Sequence, residues 1–234
     1  VRAVPGGVLS RTGHTEGSTD LCRLAGLTES AVICEVMNED GTMARKKALL
    51  DFSQKHNIKI GTIADLINYR ILNEKTVEKI EQKSVKTEYG KFNLILYKDL
   101  IFDETHLVLQ KGKISKNSPT LVRVQQSNFF HDLLNIDEYG ARWSVSDSMR
   151  KINEAGKGII LLIDGENKKQ DEFHEINASK KKRITIPNND PRRIGIGSQI
   201  LRDLGVKKIK LLGSEVRYPS LSGFDLEVTE YIKK

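Results

Sequence analysis

The chain has 234 residues, 38% of them hydrophobic, only two cysteines, and a formal net charge of +7 at neutral pH. No apolar run reaches the roughly 18–20 residues that cross a bilayer, and no basic-then-apolar leader is visible, so a cytoplasmic protein with no membrane partner is expected. Cys22 and Cys34 are too few for a disulfide scaffold or a four-cysteine zinc cluster.

The charge is uneven: residues 1–70 carry nine Lys/Arg against eight Asp/Glu, and the remaining 164 carry 29 against 23. An excess of this kind suits anionic ligands. The basic residues are scattered, however, with Lys180–Arg183 the one dense run, and aromatics do not interleave with them as a stacking platform requires. A solvated loop and no nucleic-acid partner are expected.

In chain order, residues 15–26 predict a helix with Leu21, Leu24 and Ala25 on its apolar face and Gly26 as its stop. "AVICEVM" (31–37) predicts a strand, and "NEDG" a turn rather than a calcium loop. Leu49, Leu50 and Phe52 mark a helix ending near Asn57, "IKIGTI" (58–63) a second strand, and a further helix starts near Ala64. The polar "NEKTVEKIEQK" (73–83) reads as an exposed helical linker, which places the linker at 71–88.

Beyond it, 91–100, 105–112 and 120–127 predict strands and 144–156 a serine-capped helix. A buried strand at 157–164, a polar irregular stretch at 165–183, a helix at 198–205 and a strand at 207–213 complete the pattern. The expected architecture is α+β: two mixed α/β units, 1–70 and 89–234, joined by the helical linker.

"RTGHTEGSTDL" (11–21) concentrates the chemistry. A helix amino terminus presents unpaired N–H groups and partial positive charge to a phosphate. Arg11 adds a forked cation, Gly13 permits close backbone approach, Thr15 offers a hydroxyl, and His14 can bind a divalent ion or move a proton. The same residues also suit an ordinary start, with Thr15 as cap, Arg11 in solvent and Glu16 as a first-turn acid favoured by the helix dipole.

"GGVLSRTGHTE", "CEVMNEDGTMAR" and "IADLINYR" together resemble the C-terminal part of the 3,4-dihydroxy-2-butanone 4-phosphate synthase family of riboflavin biosynthesis, over roughly residues 4–70. The resemblance implies conversion of D-ribulose 5-phosphate to formate and 3,4-dihydroxy-2-butanone 4-phosphate with Mg²⁺ or Mn²⁺. It implies substrate contacts from Arg11, Thr12, Gly13, His14, Thr15 and Glu35, with His14 a metal ligand and Glu35 the catalytic carboxylate. It also implies homodimers with sites near the subunit interface. The family's second acidic motif lies well upstream of its Arg-x-Gly-His-Thr loop, so the first unit is expected to be an incomplete synthase domain, inactive alone, within a longer protein.

"VKTEYGKFNLILYKDL", "THLVLQKGKI", "LVRV" and "DPRRIGIGSQILRDLGVKKIKLL" resemble the GTP cyclohydrolase II family. That family binds catalytic zinc through three cysteines after its "VRV" segment. Here Asn128, Tyr139 and Ala141 stand roughly in those places, and His131 cannot replace them, so no zinc and no hydrolysis are expected. Asp190 and Arg192 match the family's Asp-x-Arg pair and are expected to be vestigial. The competing expectations are retained cyclohydrolase activity or a non-catalytic interaction or regulatory module.

Overall fold

A computed structural model describes residues 1–126, 132, 142–163, 191–215 and 219–234. The chain divides into two compact units, Val1–Asn73 and Glu74–Lys234.

The regular structure of the first unit is helical: a short 3-10 turn η1 (Gly7–Leu9), then α1 (His14–Leu24), α2 (Lys46–His56) and α3 (Ile63–Asn73). α1 stops as its glycine predicts: Gly26 takes φ +71°, and the N–H of Leu27 reaches the Cys22 carbonyl at 2.9 Å. α2 ends at Asn57 in the left-handed conformation, φ 51°.

The buried face of α1 corrects the sequence expectation. Leu21 and Leu24 are exposed, and Glu16, Gly17 and Asp20 face inward. Gly17 is where α3 closes on α1, because a Cβ there would lie 2.7 Å from Ile63 Cδ1. Asp20 accepts from the Val8 N–H and from Arg70 Nη1, both at 2.8 Å, and Arg70 also donates to the Gly6 carbonyl at 2.7 Å. Asp20 and Arg70 are 5% and 3% exposed, so a buried ion pair sits beside the apolar group Val8, Leu9 and Ile71.

Two expected strands do not form. Residues 31–36 and 58–62 are irregular, and Val32, Ile33, Ile58 and Ile60 are all exposed. A strand needs a neighbour to satisfy its backbone groups, and among the described residues neither segment has one beyond the isolated bridge Met37–Met43. That bridge closes the expected 38–41 turn, where Gly41 takes φ +82° and donates to the Asn38 carbonyl at 3.0 Å.

The second unit is a seven-stranded mixed sheet. Its strands are β1 (Val77–Thr87), β2 (Gly90–Asp99), β3 (Thr105–Lys111), β4 (Thr120–Gln126), β5 (Gly158–Ile163), β6 (Lys208–Leu212) and β7 (Glu227–Ile232). The spatial order is β1-β2-β3-β5-β4-β6-β7, antiparallel from β1 to β5 and parallel from β5 to β7. α4 (Val145–Ala155), α5 (Pro191–Asp203) and a 3-10 turn η2 (Pro219–Phe224) complete the described elements.

β1 corrects the helical linker expected at 71–88. Residues 77–87 pair with β2 down to Thr87–Gly90, with a bulge at Ile80, so the hairpin partner decides their conformation.

β5, "GIILLI", is covered on both faces. Ile160 packs with Phe92, Leu121, Met149, Ile152 and Leu212 on the α4 side. On the other side α5 comes close at Gly197, whose added Cβ would lie 3.2 Å from Ile163 Cδ1 and 3.7 Å from Leu161. Ser144 caps α4, accepting the Asp147 N–H at 3.1 Å, and Gly156 ends it at φ 70°. η1, η2 and β7 are described elements for which the sequence reading gave no counterpart.

Candidate functional site

Arg11, Thr12, Gly13, His14 and Thr15 sit together at the amino terminus of α1. Gly13 is the N-cap residue, with extended backbone and no side-chain cap, so Thr15 does not cap the helix. The first helical bond runs from the Gly17 N–H to the Gly13 carbonyl at 2.9 Å, which leaves the first-turn N–H groups of His14 and Thr15 open. Arg11, Thr12 and His14 are exposed and Thr15 is half-buried. The backbone of Arg11 is pinned at both ends: its N–H donates to Gly7 at 3.0 Å and its carbonyl accepts from Gly13 at 2.8 Å.

The residue that organises this loop was read from sequence only as a dipole-favoured acid. Glu16 is fully buried; its Oε1 accepts from Arg11 Nη2 at 2.5 Å and from the Val4 N–H at 3.1 Å. The Arg11 hydrogen bond holds the Glu16 carboxyl below its usual range against the opposing effect of desolvation, and it holds the guanidinium charged. Glu16 Oε2 lies where a side chain at position 13 would go: a Cβ on Gly13 would stand 2.4 Å from it. Gly13 therefore makes room for a buried carboxylate. The Glu16 burial leaves no composition signal; three-residue spacing from Gly13 is the one clue the sequence offers.

Glu35 lies in the irregular 31–36 segment and is exposed. The side chains of His14 and Glu35 are both exposed and make no hydrogen bond or ion pair with other described residues. Cys34 is exposed and Cys22 half-buried, both as free thiols.

In the second unit Asp190, His131, Asn128, Tyr139, Ala141 and the 165–183 and Lys180–Arg183 stretches lie outside the described residues. Arg192 stands in the first turn of α5 with its guanidinium 5.9 Å from the Phe102 ring centre. Gly195 and Gly197 are inside α5, and Gly197 is where that helix closes on β5.

Among the described residues one set of three metal-competent side chains converges, Asp99, Glu104 and His106, with donor atoms within 4.8 Å of one another. Asp99 Oδ1 accepts from the N–H groups of Ile101 and Phe102 at 2.6 and 3.1 Å, and His106 Nε2 stands 4.0 Å from Asp99 Oδ2. Bonds of about 2.1 Å bring neighbouring ligands to about 3.0–3.5 Å of one another. The wider spacing and the backbone contacts describe a clamp on the β2–β3 turn. Among the described residues no helix is long and apolar enough to cross a membrane.

The 3,4-dihydroxy-2-butanone 4-phosphate synthase family profile matches residues 1–69, and the GTP cyclohydrolase II profile matches residues 78–233. The chain is 47% identical over 236 residues to a 3,4-dihydroxy-2-butanone 4-phosphate synthase of Pseudomonas aeruginosa, covering 98% of this chain and 63% of that protein. It is 39% identical to the riboflavin biosynthesis protein RibBA of Aquifex aeolicus, covering 99% of this chain and 60% of the relative. Among solved structures it resembles RibBX, a two-domain 3,4-dihydroxy-2-butanone 4-phosphate synthase from A. baumannii, with TM-score 0.65 and 43% identity over 98% of this chain and 61% of that one. The chain thus spans somewhat less than two thirds of the length of these relatives. It belongs to the GTP cyclohydrolase II family over residues 78–233, with a segment matching the 3,4-dihydroxy-2-butanone 4-phosphate synthase family ahead of it over residues 1–69.

Proposed function

We propose that residues 1–70 are the carboxy-terminal part of a 3,4-dihydroxy-2-butanone 4-phosphate synthase domain, incomplete within this chain. In the whole protein it would convert D-ribulose 5-phosphate to formate and 3,4-dihydroxy-2-butanone 4-phosphate. The observation that carries this reading is the uncapped α1 amino terminus, which presents Arg11, His14 and Thr15 within a segment that matches the synthase family. Open N–H groups and the Arg11 fork suit the substrate phosphate, with Thr12, Gly13 and Thr15 beside it.

His14 fits a hard divalent ion in kind, as an uncommitted imidazole, and Glu35 is an uncommitted carboxylate for proton transfer. A Mg²⁺ or Mn²⁺ shell takes about six ligands, so further oxygens from substrate, water and other protein groups belong to the site. A bound ion supplies charge that acidifies the sugar's C–H and hydroxyl groups. Glu35 then takes and returns the proton at the reacting carbons, and Arg11 and the helix terminus hold the phosphate end in place. The proposal includes a cytoplasmic homodimer.

For residues 78–233 we propose a cyclohydrolase-like domain that has lost hydrolysis. The matching stretch contains no cysteine, since both cysteines of the chain precede residue 35. Without thiolates the family's zinc-activated water has no support. The domain then acts as an interaction or regulatory module, with Asp190 and Arg192 as remnants.

The test is formate release from ribulose 5-phosphate by the native gene product with Mg²⁺ or Mn²⁺. His14→Ala and Glu35→Gln are each expected to lower turnover by at least about 10²-fold, Glu35→Gln with metal affinity nearly intact. Full activity in either variant refutes the site. Stoichiometric zinc together with GTP turnover refutes the loss of hydrolysis.

A further inference from the structure

We infer that Glu16 is a positioning residue for phosphate recognition: it fixes the Arg11 guanidinium at the α1 amino terminus. This rests on the reading of the Arg11–Thr15 loop as a phosphate site.

The geometry is one of over-determination. Arg11 is on a segment without regular structure, and its side chain is half exposed, 53% by area, so unsupported it would sample many rotamers. Glu16 is the opposite, with no exposed surface, a backbone N–H from Val4 on its Oε1, and its Oε2 seated in the space left by Gly13. The rigid carboxylate takes one N–H of Arg11 Nη2, and the remaining donors of the planar fork are left for an anion.

Charge accounting separates this role from simple attraction. Glu16 and Arg11 cancel, so the pair adds orientation and no net positive charge. If attraction alone governed phosphate binding, a buried carboxylate in the first turn of α1 would be a handicap, because it competes for the same helix terminus. Neutralising it would then tighten phosphate binding. If Glu16 positions Arg11, neutralising it weakens binding in spite of the added positive charge. The two roles predict opposite signs.

The experiment measures inorganic phosphate affinity by calorimetry on the native protein, and KM and kcat for ribulose 5-phosphate on the same samples. Glu16→Gln is expected to weaken phosphate binding and raise KM by about tenfold, with kcat within about twofold. Gly13→Ala displaces the carboxylate without removing its charge, because its Cβ would fall 2.4 Å from Glu16 Oε2, and is expected to act in the same direction. This second variant keeps the test decisive if Glu16→Gln does not fold. Arg11→Lys should show a loss of similar size, and the Arg11→Lys/Glu16→Gln pair should lose no more than the larger single effect. Unchanged or tighter phosphate binding in Glu16→Gln or Gly13→Ala overturns the inference, as do fully additive losses. Failure of the synthase reading would look different: no turnover by the native protein, or full turnover in His14→Ala, with the phosphate titrations still reporting on Glu16.

Discussion

Removing the Asp20 carboxylate should unfold the first unit while leaving the sheet intact. Asp20 accepts from Arg70 Nη1 and from the Val8 N–H at 2.8 Å each, and Arg70 is 3% exposed. Breaking a buried ion pair from one side costs about 3–5 kcal/mol, because the remaining charge stays out of water. The stranded Val8 N–H adds about 1–3 kcal/mol. Together these approach the total stability of an ordinary domain, about 5–15 kcal/mol. The single tryptophan, Trp143, lies in the second unit and bonds to the Ile232 carbonyl there, so its fluorescence reports the wrong region. Peptide-resolved hydrogen exchange is the suitable assay. In Asp20→Ala, peptides from 4–24 and 63–73 should exchange at least about a hundredfold faster, given about 1.4 kcal/mol per decade, and peptides from 145–163 should not change. Asp20→Leu with Arg70→Met removes both charges and should recover most of the loss, up to the cost of the Val8 N–H. Unaltered exchange in the single variant, or a double variant as labile as the single, would refute the reasoning.

Three further outcomes are expected. Ile152→Ala should cost about 2–5 kcal/mol in a denaturant titration followed by Trp143, since Ile152 is fully buried against Ile160 and beneath Gly158. Gly197→Val should destabilise the same unit, because the added carbons meet Ile163 and Leu161 at the α5–β5 contact. Asp203 gives an acid-dependent effect: burial pushes its carboxyl up, but hydrogen bonds from Tyr97 at 2.7 Å and Lys75 at 3.0 Å leave it below the usual range. A depressed carboxyl contributes its stability above the unfolded value near pH 4 and loses it as pH falls further, so Tyr97→Phe should lower stability near pH 6, flatten its fall below about pH 4, and change little in strong acid.

What the sequence revealed, and what it hid, divides along the difference between local and paired structure. α4 was legible end to end because its signals are its own: Ser144 caps it and Gly156 closes it. α2 likewise announces Asn57 as its stop. β5 was legible because a run such as "GIILLI" has nowhere to go but a covered sheet position. Strands without such a run depend on a neighbour that a single segment cannot display. "VEKIEQKSVKT" looks like an exposed helix, yet the Thr87–Gly90 hairpin end and the β2 ladder make it a strand, with Val77 as its one fully buried residue. "AVICEVM" looks like a strand and is none, because no described strand lies beside it. The site follows the same division. Arg11 to Thr15 are contiguous at one helix end, so their chemistry could be read directly. Glu16 could not, because its meaning lies in contacts with Val4, Arg11 and the missing Cβ of Gly13, and a carboxylate in a first turn is otherwise the least informative of residues. Sequence reading therefore named the groups at the helix end, and the structure was needed to show the buried carboxylate bonded to one of them.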